Sequence, residues 1–225
     1  MPRIHVEECE STQLLLLDSN LPEGAVATAD HQTGGRGRLG RVWVETPGSS
    51  VLCSVLLRPP AGRAVAQLSL VGGLAVAEAV EGVSGLPALI KWPNDVLVEG
   101  RKMAGVLAEQ RGAAVVLGIG INVNQAEACL PADARVPAGS LRSLTGRLFD
   151  CEEVLAAFLG RLDGLYARWC DGGLGAVHAE LTARDFLRGR RVSVNGVEGV
   201  ADGLDPEGRL LVDGSPVESG EVSFD

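Results

Sequence analysis

The chain has 225 residues, a net charge of −9 and a pI of about 4.9, with 46% hydrophobic and 22% charged residues. That balance belongs to a globular protein of one large domain, or one domain with a small appendage. An acidic body is a poor partner for a phosphate backbone, Met1–Glu10 has no apolar core of a signal peptide, and no apolar run reaches membrane-span length; we expect a cytoplasmic protein that binds neither nucleic acid nor membrane.

The five cysteines are odd in number and form no Cys-x-x-Cys pair, so neither a disulfide framework nor a zinc site is expected. The three histidines (His5, His31, His178) have no metal-binding spacing.

Arg3–Glu7 reads as a first strand. Ser11 or Thr12 then precedes Leu14–Leu17, which is an N-cap signature, although hydroxyls at a helix start also suit a polar ligand. Ala25–Ala29 is a small-residue strand leading to Gln32, whose carboxamide can both donate and accept.

Gly34-Gly35-Arg36-Gly37-Arg38-Leu39-Gly40-Arg41 follows, with four glycines and three arginines in eight positions. Glycines let backbone N–H groups approach an anion, and arginines add forked donors suited to phosphate or carboxylate. One charge pair at ~4 Å is worth about 1 kcal/mol in water and about 4 at an effective dielectric of 20, so such a loop gains most by closing over its ligand. A Gly/Arg linker or RNA-binding tract would share the composition. Trp43 and the β-rich run Val51–Leu57 place the loop between structured segments instead.

Ala64–Val83 predicts a helix, with Leu68, Val71, Ala75 and Ala79 near helical spacing and Gly72-Gly73 marking close packing. Leu89–Val98 holds two strands around the polar corner Lys91-Trp92-Pro93-Asn94-Asp95. A hairpin at Glu99-Gly100-Arg101 opens a strand with Lys102 at its mouth, followed by Gly105 and Leu107. In Gly118-Ile119-Gly120-Ile121-Asn122, alternating glycines bare one face of a strand, which suits a flat ligand; a bulge would explain them equally. Gln125–Gly139 reads as a lid-length polar loop. Asp150 caps an amphipathic helix over Cys151–Trp169, and Ala176–Arg184 is a last short helix. From Gly189 onward, Arg191–Val194, Gly199–Asp205, Arg209–Val212 and Ser215–Val222 read as strands of a small β-barrel, separated by Asn195-Gly196, Asp205–Gly208 and Asp213-Gly214 turns.

The ordered set Ser11-Thr12-Gln13, Gln32 with the glycine–arginine loop, Lys91–Asp95, Arg101–Gly105 and Gly118–Asn122 resembles the biotin protein ligases along nearly the whole chain. The resemblance implies an α+β catalytic domain like those of class II aminoacyl-tRNA synthetases over residues 1–186 and an SH3-like barrel over 187–225. It implies activation of biotin by MgATP to biotinyl-5′-AMP, then transfer to a lysine of a biotin carboxyl carrier domain.

Carried over by position, Ser11, Thr12, Gln13, Gln32, Gly105, Leu107, Gly118 and Gly120 would hold biotin. Arg36, Gly37 and Arg38 would fold over its carboxylate and the phosphates, and Lys102 would sit at the acyl–phosphate junction. Arg41, Trp43, Asn94, Asp95 and Asn122 would serve ATP, with Asp95 the candidate for Mg2+. Arg36, Arg38 and Lys102 are then the catalytic residues. Gln13 stands where the family commonly has Asn. Only about ten residues precede Ser11, which implies a monofunctional ligase without a DNA-binding domain. A lipoate or octanoate ligase of the same fold is the nearest rival, and a non-catalytic biotin or nucleotide sensor a more distant one. An exposed sheet edge leaves monomer and homodimer both open.

Overall fold

Alternation along the strands sorts side chains to two faces of one sheet. In this computed structural model, which describes residues 2–17, 20–132 and 135–225, seven strands are β1 (Arg3–Cys9), β2 (Val26–Gln32), β3 (Ser50–Leu57), β4 (Ala88–Lys91), β5 (Asp95–Val98), β6 (Arg101–Arg111) and β7 (Ala114–Asn122). Their order is β1-β2-β3-β7-β6-β5-β4, with β1 and β2 parallel and the other neighbours antiparallel. In β3, Val51, Cys53, Val55 and Leu57 enter the main core; in β7, Val115, Leu117, Ile119 and Ile121 do the same. The intervening residues face the other side, where Leu56, Ala114 and Val116 join a smaller cluster with Leu16, Ala25 and Ala27.

Two helices cover the main-core face: α1 (Gln67–Ser84) and α3 (Cys151–Gly172). Leu68, Val71, Ala75 and Ala79 are all buried, as their spacing predicts. Gly72 lies so close to the sheet that a Cβ there would meet Val106 at 2.9 Å. The Asp150 carboxylate accepts from the Glu152 N–H at 2.8 Å, capping α3 as expected. Phe158 and Trp169 of α3 are fully buried. Two short helices, α2 (Leu141–Thr145) and α4 (His178–Ala183), complete the helical layer.

A second sheet of five strands follows: β8 (Arg191–Val194), β9 (Val197–Leu204), β10 (Leu210–Val212), β11 (Ser215–Val217) and β12 (Val222–Phe224), in the order β11-β10-β9-β8-β12. Asn195-Gly196 and Asp213-Gly214 have positive φ at both residues, the geometry a two-residue hairpin turn requires. This sheet shares the main core through Val192, Val194, Leu210 and Val212. Trp92 Nε1–H donates to the Gly208 carbonyl at 2.9 Å, and Gln67 Nε2–H to that of Glu207 at 3.0 Å.

Three expectations are corrected. Ser11 and Thr12 do not cap a helix: Leu14–Leu16 is a single 3-10 turn without a side-chain cap, and both residues are buried. Ser215–Val222 is two strands, because the chain turns at Gly220 and β12 crosses to pair with β8. The helix expected from Ala176 begins only at His178, after a 3-10 turn at Leu174–Ala176. Of the loop expected over Gln125–Gly139, Asp133 and Ala134 lie outside the described residues. Among the described residues, no helix is long and apolar enough to cross a membrane.

Candidate active site

The sheet face opposite the helices carries a cavity of about 500 Å³. Its floor follows from the register of β6 and β7. Gly105 pairs directly with Gly120, and Leu107 with Gly118. Adjacent glycines on two strands leave a flat shelf, and the Trp43 indole lies on it: a Cβ on Gly120 would stand 2.5 Å from Cε2, and one on Gly105 would stand 3.3 Å from Cζ3. Beside it, the Gln13 side chain covers Gly118 and donates to the Leu107 carbonyl at 3.2 Å.

One end of the cavity is neutral and rich in hydrogen-bonding groups. Gln32 closes β2, and its Oε1 accepts from the Thr12 N–H at 2.8 Å and the Thr12 hydroxyl at 3.2 Å. That hydroxyl also meets Ser54 Oγ at 2.8 Å. Ser11 and Thr12 are almost fully buried, so these dipoles are fixed before any ligand arrives.

The other end is cationic. The glycine–arginine loop is a tongue whose two sides bridge at Arg36 and Val42, with the Trp43 N–H donating to the Gly35 carbonyl at 2.9 Å. Lys102 Nζ stands 2.7 Å from Asp95 Oδ1 and 5.8 Å from the centre of the Trp43 ring. Arg38 donates to Asn94 Oδ1 at 3.4 Å, while Asn94 Nδ2–H donates to the Val106 carbonyl at 3.0 Å. Burial pushes the Arg38 pKa down, with the Asp95 charge opposing it. Arg36 rests 3.9 Å from both Glu10 and Glu109. Each cation therefore has an internal partner that a phosphate or carboxylate can replace.

All the residues singled out from the sequence line this one cavity. Asn122 does so with its amide engaged: Nδ2–H donates to the Gly139 carbonyl at 3.0 Å, and Oδ1 accepts from Gln125 at 2.9 Å. Beside it, Pro131, Val136 and Ala138 also face the cavity.

Sequence reasoning missed Arg135 and Glu221. Glu221 immediately precedes β12 of the second sheet and pairs with both Arg41 and Arg135. Burial would raise its carboxyl, but these arginines hold it below the ordinary value. No local pattern marks Glu221, because its partners lie far away in sequence. Lys91, which the sequence placed at the polar corner, is a buried wall residue whose pKa burial lowers, with the Asp95 charge opposing. Among the described residues, no three His, Cys, Asp or Glu side chains converge on a metal position. Two carboxylates line the cavity, Asp95 and Glu221.

Fixed neutral groups at one end, cations held by replaceable internal partners at the other and a flat floor between them define an acid-activating ligase. The profile of the biotin/lipoate A/B protein ligase family matches residues 6–125, and the chain belongs to that family. It is 37% identical over 201 residues to a biotin–[acetyl-CoA-carboxylase] ligase of Mycobacterium tuberculosis, covering 85% of this chain and 74% of that one. It is 34% identical over 220 residues to a bifunctional ligase/repressor of Bacillus spizizenii, covering 92% of this chain and 67% of that one. The structure of a biotin protein ligase from Aquifex aeolicus in complex with biotin and ATP superposes with a TM-score of 0.90 at 34% identity, covering 100% of this chain and 98% of that one.

Proposed function

We propose that this protein is a biotin–protein ligase that activates biotin with ATP and transfers it to a lysine of a biotin carboxyl carrier domain. The observation that carries the reading is the gradient along the cavity, from the Thr12–Gln32 dipoles to the Arg38–Lys102 cations. A ureido ring needs directed neutral hydrogen bonds, and a carboxylate meeting a triphosphate needs positive charge.

The biotin carboxylate oxygen attacks the α-phosphorus of ATP, a P–O bond forms, and pyrophosphate leaves with the electrons of the broken P–O bond. Arg36, Arg38 and Lys102 offset the repulsion between the two anions and stabilise charge on the equatorial oxygens. Mg2+ bound with ATP would be held by Asp95 and would add charge neutralisation. Closure of the arginine tongue excludes water from a hydrolysable mixed anhydride. The acceptor lysine, as the neutral amine, then attacks the acyl carbon; a C–N bond forms, AMP leaves with the electrons of the broken acyl C–O bond, and the amine nitrogen gives up its proton to solvent. Such an enzyme works where MgATP and carboxylases are found, in the cytoplasm.

We further assign residues 1–186 to a catalytic domain like those of class II aminoacyl-tRNA synthetases and 187–225 to an SH3-like unit; the seven-stranded sheet followed by five short strands from β8 supports this division. The test is biotin-dependent release of pyrophosphate from MgATP without acceptor, with lipoate as control. Release with biotin alone supports the reading. Release with lipoate alone overturns it in favour of a lipoate ligase, and release with neither leaves a sensor.

A further inference from the structure

His31 and Glu45 sit at the root of the arginine tongue, outside the cavity. Glu45 is a charged residue whose side chain is only 2% exposed, and a carboxylate is not buried without a compensating contact. Its Oε1 is 2.7 Å from His31 Nδ1 and 3.2 Å from the backbone nitrogen of Gln32. Because the carboxylate can only accept, Nδ1 must carry the proton and donate.

Glu45 and the two residues it joins, His31 and Gln32, are on opposite sides of the tongue. Gln32 ends β2 before the tongue leaves the sheet, and Glu45 follows Trp43 by two positions as the chain returns. The outgoing side has its own backbone tie, Gly34 N–H to the Glu10 carbonyl at 2.9 Å. On the returning side, the Gly48 N–H donates to the Asp30 carbonyl at 2.9 Å, and the Glu45 side chain ties the segment that follows Trp43 to β2. One oxygen thereby holds the backbone of Gln32, whose carboxamide orders Thr12, against the chain two residues beyond Trp43, the residue that lies on the Gly105–Gly120 shelf.

We propose that the Glu45–His31 pair is a positioning device for the arginine tongue, setting the distance between the neutral and cationic ends of the cavity. The inference rests on the ligase reading for its kinetic consequence, but not for its structural one. Loss of the Glu45 oxygen leaves the returning side held only by backbone bonds, Trp43 N–H to the Gly35 carbonyl and Gly48 N–H to the Asp30 carbonyl, so the pocket that grips biotin loosens and the tongue swings away from the shelf.

Compare wild type, Glu45→Ala and Glu45→Gln by two measurements. The first is the rate of tryptic cleavage after Arg36, Arg38 and Arg41 in the unliganded protein, read by mass. The second is KM for biotin and for ATP in pyrophosphate release, with thermal melts alongside. We expect Glu45→Ala to be cut at least fivefold faster in the tongue and to raise KM for biotin at least tenfold. Glu45→Gln, which keeps the acceptor oxygen, should stay within threefold of wild type on both. If Glu45→Ala does not fold, His31→Ala, which removes the half-exposed partner, is expected to show the same faster cleavage. Wild-type cleavage in the alanine variant, or a loss confined to kcat with melting lowered, would make Glu45 merely structural and overturn the proposal. A wild-type protein that releases no pyrophosphate with biotin would refute the ligase reading and leave the cleavage result to decide the inference.

Discussion

Adding one methyl group to the floor of the cavity should separate a rigid contact from a soft one. In Gly120→Ala, the new Cβ would lie 2.5 Å from Trp43 Cε2 and 2.7 Å from Cζ2. Ordinary contact begins near 3.4 Å, so the indole must withdraw by about 0.9 Å. β7 cannot give way, because Gly120 is paired on both sides, with Leu52 of β3 and Gly105 of β6. Trp43 must leave the shelf, and forced repacking of this kind costs about 1–3 kcal/mol. If that loss falls on the ligand-bound state, kcat/KM for pyrophosphate release drops roughly 5- to 150-fold, at about 1.4 kcal/mol per factor of ten. In Gly118→Ala, the new Cβ meets the amide end of Gln13, at 2.8 Å from Nε2. A flexible side chain can swing aside at the expense of one hydrogen bond, about 1 kcal/mol. The assay is biotin- and MgATP-dependent pyrophosphate release by both variants, with melting curves to exclude misfolding. Equal activity of Gly120→Ala and wild type, or a larger loss in Gly118→Ala, would refute the reasoning.

Other expectations follow from the same geometry. Lys102→Ala and Arg38→Ala should each slow adenylate formation more than tenfold with the fold intact; wild-type pyrophosphate release by both would remove their assigned roles. Glu221→Ala should release Arg41 and Arg135 from the second sheet and speed tryptic cleavage after Arg41, while the loss of exposed pairs lowers stability by only about 0.2–1 kcal/mol; unchanged cleavage would mean that the clasp does not hold the tongue. Hydrogen bonds from Arg3 and Arg168 hold Glu152 and Glu180 below their ordinary value of 4.5. Below 4.5 the unfolded chain binds these protons first, so the contribution is present above 4.5 and lost as pH falls through the folded values. Urea midpoints from about pH 3 to 6 should show this loss, and Glu152→Gln should flatten it; a steeper decline in that variant would reverse the sign. Phe158→Ala, which empties a fully buried site in α3, should lower stability by about 3–5 kcal/mol, as read by chemical denaturation, and an unchanged midpoint would contradict the packing.

The chemistry was largely legible in the chain because it resides in residue types at short spacing. Arginines between glycines, a lysine at a strand mouth and glycines alternating along β7 each announce what they can do, and the structure brings all of them to one cavity. The hairpin turns at Asn195-Gly196 and Asp213-Gly214 were equally local, since few residues accept their φ values. The helix start at Asp150 was legible for the same reason.

Other features depended on which segments meet. Ser11 and Thr12 look like a cap in sequence, but both are buried, and Gln32 and Ser54 give the Thr12 polar groups other partners. The alternating glycines suggested a bare face; the register that sets Gly105 beside Gly120 determined that it is a shelf, and that Trp43 lies on it. Glu221 belongs to the site only because the second sheet folds back to Arg41. The sequence by itself determined most of the elements, their amphipathic faces and the stock of charges, because these depend on neighbours a few positions apart. Only the tertiary structure decided the pairings, because a hydrogen bond or ion pair depends on distance in space, and strand register and sheet packing set that distance between residues far apart in the chain.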